Sequence, residues 1–130
     1  MTELPALITL LTVLLLFGTM FIVGKARSKY GIKAPAVSGH PAFECAYRVQ
    51  MNTIEATVMF LPALWLAARY GFGMWAGIAG LVWLAGRVWY AAAYLRDPTR
   101  RGGGFGLSML GWAALVVMAG IGVVRAMMVS

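Results

Sequence analysis

The chain contains a run of 21 residues without a charged side chain, LPALITLLTVLLLFGTMFIVG, at positions 4–24. The hydrocarbon core of a bilayer is about 30 Å thick, and a helix of roughly 20 apolar residues crosses it. The run is longer than the apolar region of a signal peptide, and basic residues follow it instead of preceding it. It therefore predicts a membrane-spanning helix that is retained in the protein.

The rest of the chain shares this apolar character. Of its 130 residues, 62% are hydrophobic and only 12% are charged, whereas soluble domains have about 25% charged residues. This length accommodates about four membrane spans joined by short loops. We therefore predict an all-α, integral membrane four-helix bundle that forms a single domain over residues 1–130. The predicted helices cover residues 4–24, 42–70, 74–95 and 105–127.

The connections between these helices differ in charge. Segments 25–41 and 96–104 together carry seven of the eleven basic residues, whereas Gly71 and Gly73 mark a tight turn between helices 2 and 3. Because cytoplasmic loops are enriched in Lys and Arg, we expect both basic segments to face the cytoplasm and both termini to face the opposite side. The net charge of +7 does not indicate nucleic-acid binding, since the basic residues lie at helix ends and not on a face between aromatic residues.

Helices 2 and 3 carry ionisable residues at membrane depth, whereas helices 1 and 4 carry almost none. A charge within a span costs about 2.5–3.5 kcal/mol on insertion scales, so such residues usually face protein or a wet cavity and are functional candidates. Spacings of four and three residues place Arg48, Asn52 and Glu55 on one stripe of helix 2. The matching stripe on helix 3 consists of Arg87, Tyr90 and Tyr94. We expect the two stripes to converge at the end of the bundle that carries the basic loops.

The residues alone leave a purely structural role open for these charges. Glu55 could pair with Arg87, and Glu44 with Arg48, so that ion pairs hold the bundle together without performing chemistry. The lone Cys45 excludes an internal disulfide framework, and no Cys or His cluster predicts a metal site.

Taken together, these residues resemble a known family, the membrane-associated proteins in eicosanoid and glutathione metabolism (MAPEG). The resemblance is strongest to its leukotriene C synthase and microsomal glutathione transferase branch, and it covers three of the four predicted helices with matching separations. The residues that carry it are Arg27, Gly39, Pro41, Phe43, Glu44, Tyr47, Arg48, Gln50, Asn52, Glu55, Arg87, Tyr90, Tyr94 and Arg101.

The resemblance implies a homotrimer that binds glutathione, its co-substrate, at each subunit interface near the cytoplasmic membrane surface. The implied glutathione-binding residues are Arg27, Arg48, Gln50, Asn52, Glu55, Tyr90 and Tyr94. Of these, Arg27 and Gln50 come from the neighbouring subunit or complete the same pocket. Arg101 and Tyr94 are the implied catalytic residues, while Glu44 and Arg87 are expected to form structural ion pairs. The chemistry agrees, because arginines can bind the two carboxylates of glutathione and a glutamate can accept its ammonium group.

The implied function is that of a membrane-bound glutathione transferase in detoxification. Such an enzyme adds glutathione to hydrophobic electrophiles, or reduces lipid hydroperoxides with it, and uses no metal. We expect it among the lipids of a bacterial inner membrane, with the active site facing the cytoplasm. Two departures from the family pattern are Ala56, where several relatives have a tyrosine, and Ser28, where leukotriene synthases have a second arginine. The second departure argues against leukotriene synthesis.

Two other functions compete with this one. A non-catalytic lipid-binding or scaffold member of the same family would keep the fold without turnover. The retention of Arg101, Tyr94 and the full set of Arg48, Asn52 and Glu55 argues against it. A small multidrug transporter typically relies on a carboxylate in its first helix, and the predicted helix 1 has none.

Overall fold

The computed structural model describes residues 3–130, and these residues form helices without any β-strand. The long helices are α1 (Glu3–Tyr30), α2 (Pro41–Ala67), α3 (Gly73–Arg96) and α4 (Gly102–Val129). A π-helical segment, Ala68–Phe72, links α2 to α3, and a short 3₁₀ turn, Pro98–Arg100, precedes α4.

The number of separate helices corrects the sequence prediction. No loop interrupts Pro41–Arg96, because the π-helical segment joins α2 directly to α3. The described chain therefore has three long apolar helical segments, and four separate ones were expected. The predicted turn is instead a helical kink, in which Tyr70 (φ −99°, ψ 32°) and Gly71 (φ 104°, ψ 2°) leave helical geometry. A positive φ at Gly71 is accessible because glycine has no Cβ. The chain folds back at this kink, so that α3 lies along α2.

The first helix is longer than predicted. It continues through the basic residues after position 24 and ends at Tyr30, followed by Gly31 in the left-handed region (φ 67°). Lys, Arg and Ala are good helix formers, and nothing among residues 25–30 breaks the helix. Basic residues in the last turn also interact favourably with the helix dipole.

The helices pack around a small core and point large apolar side chains outward. In the core, the rings of Phe60 and Trp83 stack with centroids 3.7 Å apart. On the outside, Leu10 and Leu14 of α1 are 64% and 63% exposed. All three helical segments are long and apolar enough to cross a membrane. Because so much apolar surface is unfavourable in water, the chain is an integral membrane protein.

Side-chain hydrogen bonds from one helix to another reinforce this packing. The Trp65 indole donates to the Thr9 hydroxyl at 3.0 Å, which joins α2 to α1. The Trp112 indole donates to the Met59 carbonyl at 3.0 Å, which joins α4 to α2.

The closest helix pair is α3 with α4. A Cβ added at Gly86 would overlap the backbone of Ser108, and one added at Gly104 would overlap the backbone of Tyr90. Small residues allow such approach between membrane helices. The contact brings the start of α4 against the part of α3 that carries Tyr90.

Candidate functional site

A cavity of about 800 Å³ opens where α2 begins, α3 ends and α4 begins. Its wall combines charged, amide, phenolic and apolar side chains. The lining residues are Val37, Ser38, Glu44, Tyr47, Arg48, Met51, Asn52, Glu55, Tyr90, Tyr94, Arg101, Gly102 and Phe105.

Helix α2 contributes its polar stripe to this cavity, as its periodicity predicts. Glu44, Arg48, Asn52 and Glu55 follow one another at spacings of four, four and three residues, and all four line the cavity. Arg48 and Glu55 are exposed in the single chain, while Asn52 is half-buried. The cavity therefore holds a cation, an amide and a carboxylate on successive turns of one helix.

The start of α2 is held by side-chain caps. His40 Nδ1 accepts a hydrogen bond from the Ala42 N–H at 3.1 Å, and Pro41 occupies the first turn, where its fixed φ suits a helix. The Glu44 carboxylate accepts a hydrogen bond from the Gly39 N–H at 3.1 Å. These contacts hold the loop that carries Val37 and Ser38 against the cavity.

Helices α3 and α4 contribute two tyrosines and an arginine. Tyr90 and Tyr94 are nearly buried, and their rings meet edge to face with centroids 5.5 Å apart. Arg101 Nη1 donates to the Tyr94 hydroxyl oxygen at 3.5 Å, and its guanidinium lies 5.5 Å from the Tyr94 ring. Since that contact uses an acceptor lone pair, the Tyr94 proton is free to point at another group.

The turn between α3 and α4 determines where Arg101 lies. Asp97 Oδ1 accepts hydrogen bonds from the Thr99 N–H at 3.1 Å and the Thr99 hydroxyl at 2.8 Å. The backbone bond, together with the hydroxyl bond, lowers the pKa of the Asp97 carboxyl below its ordinary value. This compact turn brings Arg101 back beside Tyr94.

Three of the predicted site residues lie outside this cavity. Arg27 Nη1 donates to the Ala36 carbonyl at 2.8 Å and to the Ile32 carbonyl at 3.4 Å, so it holds the α1–α2 loop of its own chain. Gln50 is two residues from both Arg48 and Asn52, which turns it away from their stripe. Arg87 lies behind the cavity wall.

The ion pairs considered from the sequence are not formed among residues 3–130. Arg87 Nη2 donates to Asn52 Oδ1 at 2.7 Å and to the Thr53 hydroxyl at 3.0 Å, and not to Glu55. The described residues contain one salt bridge, the exposed Arg100–Asp97 contact at 3.9 Å. Neither of the structural pairs expected at Glu44 and Arg87 is therefore present among the described residues. Glu44 is instead a capping residue, and Arg87 is a buried donor to neutral groups.

Several lining residues were not proposed as site residues from the sequence. Tyr47 and Met51 lie three residues after Glu44 and Arg48, so the helical period could have identified them. Phe105 faces the cavity because α4 approaches α3 so closely. No sequence signal indicates that contact beyond the glycines at 102–104.

Fold and cavity define a helical integral membrane protein with a charged cavity at one end of its bundle. Residues 5–121 match the model of the MAPEG family. The chain is 46% identical to an uncharacterised protein of Synechocystis sp., over 88% of this chain and 84% of that protein. It is 39% identical to microsomal glutathione S-transferase 2 of Bos taurus, over 79% of this chain and 70% of that protein. It is 35% identical to leukotriene C4 synthase of Rattus norvegicus, over 93% of this chain and 81% of that protein. The chain belongs to the MAPEG family.

Proposed function

We propose that this protein is a membrane-bound glutathione transferase that uses glutathione as co-substrate against hydrophobic electrophiles or lipid hydroperoxides. One observation carries the proposal: a single cavity is lined by six residues that the family resemblance implies to contact or activate glutathione. They are Arg48, Asn52, Glu55, Tyr90, Tyr94 and Arg101. Its relatives in the MAPEG family include a microsomal glutathione S-transferase, which supports the same chemistry.

The cavity matches glutathione in charge and hydrogen bonding. Glutathione carries two carboxylates, one ammonium group, two peptide groups and a thiol. Arg48 can bind a carboxylate through two parallel N–H donors, and Glu55 can accept the ammonium group. Asn52 and the tyrosine hydroxyls can bind the peptide groups. Val37, Met51 and Phe105 give the same cavity an apolar portion for the second substrate.

Activation of the thiol is assigned to Arg101 and Tyr94. A cysteine-type thiol has a pKa of about 8.5, and its thiolate is the nucleophile. Arg101 keeps its charge at all relevant pH values and can stabilise the thiolate directly. Because the Tyr94 hydroxyl already accepts from Arg101, its own proton is available to the sulfur.

Two reactions follow from this thiolate. In transfer, the sulfur forms a bond to an electrophilic carbon, and the leaving group departs with its electron pair. In peroxide reduction, the thiolate attacks the distal peroxide oxygen, the O–O bond breaks, and the alkoxide takes a proton and leaves as an alcohol. A second glutathione then attacks the oxidised sulfur, so that two glutathiones and one hydroperoxide yield glutathione disulfide, the alcohol and water.

We further infer a homotrimer in which neighbouring subunits complete each site. Arg48 and Glu55 are exposed on a helix that otherwise spans the membrane, and exposed charge facing lipid is unfavourable. A neighbouring subunit can cover this stripe. It can also supply Arg27 and Gln50, which do not line the cavity of their own chain. Native mass spectrometry of the detergent-solubilised protein tests this assembly, and a stable monomer that binds glutathione fully would contradict it.

The proposed activity is tested with the purified protein. Glutathione binding is measured by isothermal titration, followed by turnover with a chromogenic aryl halide and with an organic hydroperoxide. We expect binding and turnover of at least one substrate. Binding without turnover would favour a non-catalytic family member, and the absence of both would contradict the proposal.

A further inference from the structure

Arg87 is a fully buried guanidinium that touches two residues of the cavity wall from behind. It is 0% exposed and does not line the cavity. Its Nη2 donates to Asn52 Oδ1 at 2.7 Å and to the Thr53 hydroxyl at 3.0 Å. Its guanidinium also lies 4.3 Å from the centre of the Tyr90 ring, a cation–π distance. Both Asn52 and Tyr90 face the cavity on their other side.

The contact with Asn52 has only one chemically acceptable orientation. A guanidinium has five N–H donors and no acceptor, whereas an asparagine amide has an oxygen acceptor at one end and two N–H donors at the other. The amide must therefore turn its oxygen toward Arg87. Its NH₂ group is left on the opposite side, and the cavity is the space that Asn52 lines.

We propose that Arg87 is a positioning residue that makes Asn52 a hydrogen-bond donor, and never an acceptor, toward the cavity. The ligand atom that meets Asn52 is then a carbonyl or carboxylate oxygen. An ammonium group is excluded from this position and directed to Glu55. The identity of this ligand as glutathione rests on the proposed function, whereas the orientation of Asn52 rests on the Arg87 contact alone.

Few contacts hold the buried guanidinium of Arg87. A buried guanidinium costs free energy unless it is paired and hydrogen-bonded. Nε and Nη1 of Arg87 have no hydrogen-bond partner among the described residues. The Nη2 bonds and the Tyr90 ring are thus the contacts that hold the cation. A side chain at position 87 that could also accept a hydrogen bond would allow the Asn52 amide either orientation, whereas a guanidinium has no acceptor.

Asn52→Asp provides the sharpest test. Aspartate has the same shape and keeps an acceptor for Arg87, but replaces the NH₂ donor with a second oxygen. We expect the variant to remain folded and to lose glutathione affinity by about tenfold or more, as measured by isothermal titration. Affinity equal to or tighter than that of the unmodified protein would show that the cavity presents an acceptor at this position, and would overturn the proposal.

Thr53→Val is the matched control, because it removes the other Arg87 hydrogen bond without changing the amide or the cavity lining. Its glutathione affinity should stay within about twofold of the unmodified protein. Arg87→Met should raise KM for glutathione more than it lowers kcat, since the amide is freed but the thiolate-activating residues remain. Equal losses of affinity in Thr53→Val and Asn52→Asp would indicate general loosening of α2, and would overturn the positioning role.

A ligand-free measurement separates this inference from the proposed function. Asn52→Asp should raise the melting temperature when Arg87 is present, because it gives this buried guanidinium a carboxylate partner. In the Arg87→Met background, Asn52→Asp should lower the melting temperature, because the carboxylate is then unpaired. An identical shift in both backgrounds would overturn the Arg87–Asn52 contact. If glutathione does not bind the unmodified protein, the proposed function fails while this comparison still decides the contact.

Discussion

The two glutamates of the cavity lie on the same helix face but have different surroundings. The Glu44 carboxylate accepts a hydrogen bond from the Gly39 N–H, whereas the Glu55 side chain makes no hydrogen bond within the described part of the chain. Glu55 is therefore the carboxylate available to a ligand's ammonium group.

We predict that Glu55→Gln weakens glutathione binding by about tenfold or more, since a hydrogen bond to a charged group contributes about 1.5–3 kcal/mol. Glu44→Gln keeps a side-chain acceptor for Gly39 and should change affinity much less. Isothermal titration of both variants makes the comparison. Small and equal effects in two folded variants would count against an ammonium site at Glu55.

Arg101 and Tyr94 are in contact, so the contributions to thiol activation that we propose for them have to be separated by experiment. We predict that Arg101→Ala lowers turnover more than it lowers glutathione affinity and raises the pKa of the bound thiol. A shift of two pKa units corresponds to about 2.7 kcal/mol of lost thiolate stabilisation. Thiolate absorbance and kcat, measured across a pH series, report both quantities.

Tyr94→Phe is the matched variant for this test, because it keeps the aromatic ring beneath the arginine and removes only the hydroxyl. It should change the thiol pKa less than Arg101→Ala does. If Arg101→Ala leaves the pKa and the rate unchanged while Tyr94→Phe alters both, the thiolate is stabilised by the tyrosine hydroxyl and the arginine assignment is wrong.

Among the helices, the α3–α4 pair has the strictest steric requirement. Gly104 lies against the Tyr90 backbone, and Gly86 lies against Ser108. Backbone atoms cannot move aside as a flexible side chain can, so a larger residue at either position must separate the helices.

We predict that Gly104→Val destabilises the protein by about 1–3 kcal/mol, the usual cost of overpacking, and weakens glutathione binding by displacing Tyr90. Gly106→Ala is the control on the same helix, because a Cβ there meets no atom within 4 Å. It should be neutral or slightly stabilising, since alanine favours helix by up to about 1 kcal/mol over glycine. Thermal melting in detergent measures both variants, and equal melting temperatures would show that α3 and α4 are not in backbone contact.

At the scale of the whole molecule, the basic residues are unevenly distributed between the two ends of the helix bundle. The basic end of α1, the loop after it and the α3–α4 turn lie at the same end of the bundle as the cavity. By the preference of Lys and Arg for cytoplasmic loops, we expect this end to face the cytoplasm.

We predict that a cysteine introduced as Lys33→Cys in a Cys45→Ala background reacts with an impermeant thiol reagent only after the cytoplasmic side is exposed. Ser130→Cys is the paired control and should react from the opposite side. Intact cells and inverted vesicles provide the two orientations. Labelling of Lys33→Cys in intact cells would show that the topology is the opposite one and that the cavity lies at the outer face.

Membrane character and the α2 stripe were both predictable from the sequence, because each depends on neighbours along the chain. Insertion free energy sums over consecutive residues, so the run at 4–24 is sufficient to predict a span. A helical period converts the spacing of Arg48, Asn52 and Glu55 into a shared face. The basic residues after position 24 indicate the start of a loop, but α1 continues through them to Tyr30, because Lys, Arg and Ala are good helix formers.

The partners of the charged side chains depended on contacts between residues far apart in the chain. Arg87 binds Asn52 and Thr53 because α3 folds back along α2 at the Gly71 kink, and spacing alone had equally allowed a pair with Glu55. Membership of the MAPEG family could be predicted from the spacing of local motifs. The orientation of the Asn52 amide and the approach of α4 to α3 could not, because hydrogen bonds and steric contacts act over a few ångströms of space, whatever the separation in sequence.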